Sequence, residues 1–328
     1  MKYHDFIYWK PASTNEVYTI IKPKIFEISI DKIGKTGFVF FPFNKENKGI
    51  LFEGKIERTE KINVSNFEKN ISFTDHDISK KEYVELVKKA VKAIKNGNFD
   101  KVVHARCKTI TLPNNFSLEN LFISLCKNYK NSLVYCLKAY DDLWIGATPE
   151  LLLKNDNSKM KTFALAGTKK NTENYEFGDK ETNEQKLVKD YIVEVLKNNG
   201  SENIEIENSK NLKNGNLTHI INEINFSSNK PYQLLIQLHP TPAVCGMPYK
   251  KSFDFIKNYE QLNRSFYSGF LGKIDSMNNF DFWVNLRCAK VLKNQIRLFA
   301  GAGITAQSNP DKEWSETENK MKIIADFL

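Results

Sequence analysis

"FDFWVNLRCAKVLKNQIRLFAGAGI", residues 280–304, decides how this chain is read. Phe280, Phe282, Val284, Leu286 and Cys288 alternate with Asp281, Trp283, Asn285 and Arg287. A period of two is the pattern of a half-buried strand, here with Arg287 on the face opposite the apolar row. "QIRLFAGAGI" is the next strand. It ends in Gly301 and Gly303, and glycine inside a strand marks either a bulge or a close backbone approach. The chain then crosses a polar turn into a helix that opens near Pro310, a residue suited to the first helical position.

The same punctuation continues upstream. Ser79 with Glu82 three residues on is a capping-box spacing. Tyr83, Leu86, Val87, Ala90, Val91 and Ile94 then make one apolar helical face that stops at Gly97. "KVVHARCKTITL", "SLVYCLKAY", "LWIGATPELLLK" and "MKTFALAG" read as strands, and "SLENLFISLCKNY" as a helix. A long helix is predicted over about Lys180 to Asn199, and another over about Tyr249 to Glu260. Residues 1–75 read as short strands and turns, among them "EVYTIIK", "GFVFFPF" and "GILFEGKI". Strand pairs interrupted by helices predict an α+β fold of largely antiparallel sheets. No low-complexity linker divides the 328 residues, so one domain is expected, with variable N-terminal strands over 1–78 and a core over 79–328.

Composition narrows the function. The hydrophobic share is 41% and the charged share 27%, the mix of a globular protein. No apolar run approaches the ~20 residues that span a bilayer. "MKYHDFIYWK" has no signal-peptide apolar core, so a cytoplasmic protein is expected. Cys107, Cys126, Cys136, Cys245 and Cys288 are scattered and form no CxxC, which favours reduced thiols and argues against zinc. The net charge of +9 is spread over lysines that alternate with acids, as in "SKKEYVELVKKAVKAIKN", and no dense basic block points to nucleic acid.

Several stretches carry possible chemistry. Glu181 and Glu184 open one helix, and Glu313 and Glu316 open another. A step of three puts each pair on one helical face. Either pair alone is also what a helix dipole favours in its first turn. Four carboxylates converging from two helices would suit Mg²⁺, which takes oxygen ligands. Gly301 and Gly303 could offer bare backbone to a ligand, and so could the predicted strand end at Ala166-Gly167-Thr168. "LIQLHPTPAVCGMPY", Leu235 to Tyr249, reads as a rigid proline-rich loop. His239 there and His219 in "LTHI" read as hydrogen-bonded structural residues or as site residues. Lys101 and Glu150 read as surface charges, or as a base and an acid if burial shifts their pKa values.

Taken together, "FDKVVHAR", "WIGATPELLL", "FALAGT", "DKETNEQKLV", "LTHI", "LHPTPAVCGMP", "YEQLNRSFYSGFLG", "VNLRCAKV", "LFAGAGI" and "EWSETENK" resemble the chorismate-utilising enzymes. These segments stand in family order over roughly residues 80 to 328. The resemblance implies antiparallel sheets packed face to face with helices outside. Lys101, where ammonia-using members carry glutamine, and "LHPTPAVCG" resemble the water-using isochorismate synthase branch. The alternatives are a salicylate synthase or a non-catalytic binder of chorismate-like anions.

The resemblance also implies a mechanism and a set of site residues. Mg²⁺ would be held by Glu184 and Glu316, with Glu181 and Glu313 acting directly or through waters. Lys101 would deprotonate a water, and a protonated Glu150 would donate to the departing hydroxyl. That division needs a lowered lysine pKa and a raised carboxyl pKa. Tyr267 and Arg287 would bind the enolpyruvyl carboxylate. Gly167, Thr168, Gly301 and Gly303 would line the site, with Lys320 and His219 nearby. The product would feed menaquinone or siderophore synthesis. Chorismate is the expected small-molecule partner of a monomer with no amidotransferase subunit, no nucleic acid and no membrane. His104, Gln185 and Cys245 depart from the family's usual residues.

Overall fold

The computed structural model describes residues 5–64, 76–171 and 176–328. Two large antiparallel sheets lie face to face, as expected. The nine-stranded sheet runs in the order Gly246–Met247, Lys101–Thr111, Gln295–Ile304, Cys288–Val291, Asp142–Thr148, Leu133–Ala139, Phe6–Lys10, Val17–Ile20 and Ile56–Thr59. The ten-stranded sheet runs Glu202–Ile206, Leu217–Ser227, Lys159–Lys170, Leu151–Asp156, Asn279–Val284, Phe270–Ser276, Gly37–Phe41, Gly49–Glu53 and Lys24–Ile28, with Lys210–Asn214 also paired to Leu217–Ser227. The short N-terminal strands therefore extend both sheets at one end of the sandwich.

Between the sheets lies an aromatic core. Trp9, Tyr135, Trp144 and Phe299 from one sheet meet Phe38, Phe40 and Leu271 from the other. Phe40 stacks on Phe266 at 4.1 Å between ring centroids, and Trp144 stacks on Phe299 at 5.2 Å. Helices cover the outer faces. The helices are α1 (Lys80–Lys95), α2 (Leu118–Asn128), α3 (Asp179–Asn198), α4 (Pro231–Leu238), α5 (Tyr249–Tyr259) and α6 (Pro310–Ala325). Val188, Ile192 and Leu196 of α3 and Leu234, Leu235 and Leu238 of α4 pack on the ten-stranded sheet. Leu121, Phe122 and Leu125 of α2 and Met321 and Ile324 of α6 pack on the nine-stranded sheet.

The α1 start follows its sequence. Ser79 Oγ accepts from the Glu82 N–H at 3.3 Å, and the Ser79 N–H donates to Glu82 Oε2 at 2.9 Å. Tyr83, Leu86, Val87, Ala90 and Ile94 are buried.

Several sequence expectations need correction. The alternating run from Phe280 is not one strand. It stops at Val284 in the ten-stranded sheet and resumes at Cys288 in the nine-stranded one. "LWIGATPELLLK" divides in the same way at Pro149-Glu150, and its halves lie in different sheets. Proline cannot donate to a ladder, which accounts for the second break. "MKTFALAG" does not end at Gly167. The strand continues to Lys170, and Gly167, at φ +71, is the extra residue of a bulge between Ala166 and Thr168. Leu235–Leu238 belong to α4, so the proline-rich loop begins at His239.

His104 is fully buried. Neither ring nitrogen has a hydrogen-bond partner, and Nδ1 lies 3.7 Å from Glu260 Oε2. Burial, the largest influence, lowers its pKa below the usual histidine value. Glu260 has other partners, so the imidazole's polar atoms are a net cost. His104→Leu is therefore expected to stabilise the fold by about 1 kcal/mol or more in urea unfolding at neutral pH. A loss of stability would mean that the long contact to Glu260 matters more than the orphaned nitrogens.

Candidate active site

Both breaks fall at the seam where the chain changes sheets, and each delivers a charged side chain to the same place. Glu150 sits on the outward crossing and Arg287 on the return. The crossings are bonded to one another. The Ala147 N–H donates to the Arg287 carbonyl at 3.0 Å, and the Val284 N–H donates to the Glu150 carbonyl at 2.9 Å. Asn285 pins the return: Tyr135 donates to its Oδ1 at 2.6 Å, and its Nδ2 donates to the Phe266 carbonyl at 2.9 Å. Arg287 takes φ +50, uncommon for a non-glycine residue, which turns its side chain into the seam.

The adjoining strands supply the next residues. Lys101 is fully buried at the head of its strand, with Nζ 2.9 Å from Glu184 Oε1. Gly303 and Gly301 pair with Val103 and Ala105 without a register shift, so neither is a bulge. Their bareness serves close approach. A Cβ on Gly303 would lie 2.2 Å from Glu184 Oε1 and 3.0 Å from Lys101 Cε, and one on Gly301 would lie 3.1 Å from the Tyr267 hydroxyl. Gly303→Ala is thus expected to force Glu184 and Lys101 apart and, because that pair is buried, to lower the melting temperature as well. Its kcat should fall by roughly ten- to a hundredfold; full activity would show that this approach is not needed.

The bulge at Gly167 positions His219. Its Nδ1 lies 3.2 Å from the Gly167 carbonyl and 3.1 Å from Thr168 Oγ1, and its Nε2 lies 3.4 Å from an Arg287 Nη2. A carbonyl only accepts, so the proton belongs on Nδ1 and Nε2 accepts from the guanidinium. Burial, then the charges of Arg287 and Lys320, lowers the His219 pKa well below its ordinary value, in keeping with that neutral tautomer.

The carboxylates form a cluster threaded with lysines. Lys180 Nζ lies 2.5 Å from Glu313 Oε1, joining the starts of α3 and α6. Lys320 Nζ lies 2.6 Å from Glu316 Oε1 and donates to the Gly301 carbonyl at 2.9 Å. Glu313 is fully buried and its Oε2 has no hydrogen-bond partner. Burial first, then the neighbouring Glu316 charge, pushes its pKa up to about 7. Burial acts on Glu184 too, but Lys101 and Lys180 outweigh it and hold that carboxyl below the usual range. Glu181 stands apart from the inner cavity. It accepts from the Gly178 N–H at 3.1 Å as a cap of its own helix and faces the outer cleft. Among the described residues, no group of three or more acidic, histidine or cysteine side chains is arranged to hold one ion. Even so, the donors are oxygens of the kind hard divalent cations take, and one is buried without a partner.

Glu150, Gly167, His219, Tyr267, Arg287, Gly301 and Gly303 line a cavity of about 50 Å³. Through Thr168 and Glu316 it adjoins an open cleft of about 720 Å³ between the starts of α3 and α6. Burial pushes the Glu150 carboxyl up to about 7, against the pull of Lys101, Arg287 and Lys320. Arg287 is buried and forms no ion pair among the described residues, and its Nε has no partner. An unpaired buried cation is expensive, and an anionic ligand would satisfy it. The sequence reading missed Lys180, whose place in "DKETNE" on the helix face was the available signal. It also missed the apolar wall of Val103, Ala243 and Val244, which carries no chemical motif.

A family profile described as "Chorismate binding enzyme" matches residues 46–328. The chain belongs to the chorismate-binding enzymes. The match takes in every residue that lines the cavity, while the strands Phe6–Lys10, Val17–Ile20, Lys24–Ile28 and Gly37–Phe41 precede it. Among relatives in this family, isochorismate synthase MenF of Bacillus subtilis is 30% identical over 77% of this chain and 56% of its own length. Isochorismate synthase EntC of Escherichia coli K12 is 31% identical over 74% of this chain and 66% of its own length. The chain thus spans between about half and two thirds of these curated relatives. In fold it matches a putative 2,3-dihydroxybenzoate-specific isochorismate synthase, DhbC, of Bacillus anthracis. That match has a TM-score of 0.85 at 22% identity, covering 100% of this chain and 97% of the other.

Proposed function

We propose that this chorismate-binding enzyme is an isochorismate synthase, adding water at C2 of chorismate and expelling the C4 hydroxyl. The observation that carries the reading is a buried carboxyl raised to about 7 in the same cavity as an unpaired arginine, with a buried lysine behind Gly303. Arg287 and Tyr267 receive the enolpyruvyl carboxylate, Arg287 by a charge-assisted contact. Lys101 takes a proton from the attacking water. Glu150, still protonated, gives one to the leaving hydroxyl, the double bonds shift, and water departs. His219, held neutral, and Lys320 border the substrate, and Gly167, Thr168, Gly301 and Gly303 let it lie against backbone.

Magnesium fits the oxygen donors. Glu184 and Glu316 would hold it, with Glu313 and Glu181 beside them. When bound, it supplies positive charge to neutralise and orient a substrate carboxylate. Lys101, Lys180 and Lys320 lie beside these carboxylates and offset their charge.

We take the chain to be a single catalytic domain, a cytoplasmic monomer that uses water and needs no amidotransferase subunit. Among the described residues no helix is long and apolar enough to cross a membrane. Sedimentation velocity giving twice the 37.9 kDa mass would contradict the monomer. The reaction itself is tested by incubating the protein with chorismate, with and without Mg²⁺, and separating products by chromatography. Mg²⁺-dependent isochorismate is expected. Enzyme-dependent salicylate and pyruvate would make it a salicylate synthase. Binding of chorismate without turnover would make it a binding protein.

A further inference from the structure

Three segments that are far apart in sequence form one wall of the cavity: Val103 of the Lys101–Thr111 strand, Val244 of the proline-rich loop, and Tyr267. Each is bonded to one residue that does not itself line the cavity, Arg264. Its Nη2 donates to the Val103 carbonyl at 2.6 Å and its Nη1 to the Val244 carbonyl at 2.8 Å. Its own carbonyl accepts the Tyr267 N–H at 2.8 Å.

Arg264 is itself fixed. It is 3% exposed, and its Nε and Nη2 donate to the two carboxylate oxygens of Glu260 at 2.6 and 2.7 Å. Its guanidinium lies over the Phe43 ring at 4.3 Å. Glu260 in turn accepts the Ala105 N–H at 2.9 Å. On this edge, among the described residues, the Lys101–Thr111 strand pairs with Gly246–Met247 through residues 101 and 102. The Cys245 carbonyl then takes the Val103 N–H at 2.9 Å. Beyond that point, the Arg264 and Glu260 side chains continue the ladder in place of a strand. One planar fork thereby holds the strand whose head carries Lys101 to the loop, and the backbone carbonyl of the same residue ties in the turn of Tyr267. The carboxylates of α3 and α6 lie outside this network.

We propose that Arg264, locked by Glu260, is a positioning residue that sets the cavity wall for the reaction. This rests on the chorismate reading above. A lysine keeps the charge but cannot reproduce the fork, which binds Glu260 twice and two carbonyls besides. Arg264→Lys and Glu260→Gln would be compared with the unaltered protein at 15 °C, with folded fraction measured by circular dichroism. Expected per folded molecule is a kcat lower by roughly ten- to a hundredfold and a calorimetric Kd for chorismate at least several-fold weaker. The Mg²⁺ concentration for half-maximal rate should stay within about twofold, since the network does not touch the carboxylate helices. Glu260→Gln should show the smaller effect, which keeps the test open if Arg264→Lys folds poorly. A lower melting temperature with unchanged kcat and Kd per folded molecule would reduce Arg264 to a structural role and overturn the proposal alone. An unaltered protein that neither binds nor converts chorismate would overturn it together with the proposed function.

Discussion

Lys101→Ala is expected to lower kcat by about 10²–10⁴-fold, the usual worth of a positioned general base. Lys101 is fully buried at a strand head, and the bareness of Gly303 admits its Cε. Its only close ionic neighbour among the described residues is Glu184 at 2.9 Å. Two roles are therefore separable. If the amine merely balances Glu184, arginine in its place restores much of the rate, because charge is all that is needed. If the amine must accept a proton, arginine does not, since a guanidinium stays protonated. We expect no rescue by Lys101→Arg, read as initial rates at saturating chorismate and Mg²⁺. Substantial rescue would remove Lys101 from the role of base.

Glu150→Gln is expected to cost a similar factor, and here the sign with pH is fixed. The carboxyl is raised to about 7 chiefly by burial. As the proton donor it must be protonated, so kcat/KM of the unaltered enzyme should fall as pH rises through about 7. The variant, with nothing to titrate there, should lack that limb. Stability moves in the same sense. A carboxyl whose folded pKa is raised favours the folded state fully below its unfolded value of about 4.5, and that contribution is lost as pH climbs to about 7. The stability of the variant relative to the unaltered protein should therefore rise across that window. A profile that stays flat from pH 6 to 9 would deny Glu150 the acid role.

How much of this was legible in the sequence depended on whether the signal was local. The Ser79 box and the α1 face could be read from neighbouring residues, whereas at Gly303 a bulge and a close approach stayed open until the unshifted register decided for the approach. The sheet crossings could not. Apolar alternation runs unbroken from Phe280 through Cys288, although the chain changes sheets between Val284 and Cys288. That break is made by the left-handed backbone of Arg287 and by Asn285 bonded to Tyr135, 150 residues away. Pro149 did signal the other break. The N-terminal strands were recognisable, but their partners were not, because Phe6–Lys10 pairs with Leu133–Ala139 across a long sequence gap. The repeated glutamate spacing brought α3 and α6 together at their starts. It could not show that Glu181 caps its own helix, or that lysines occupy the cluster. Arg264 and Glu260 stood within the quoted "YEQLNRSFYSGFLG", but no role could be read for them, because they act on each other and on backbone groups distant in sequence.

Attack of water on chorismate, with Lys101 as base and Glu150 as acid, is tested most directly with isotope. The Mg²⁺-supplemented reaction would be run in ¹⁸O-labelled water and the isochorismate weighed by mass spectrometry. One ¹⁸O atom per product molecule, carried at C2, is expected. Unlabelled isochorismate would mean that the original hydroxyl had migrated, and no isochorismate at all would mean that this site performs another reaction.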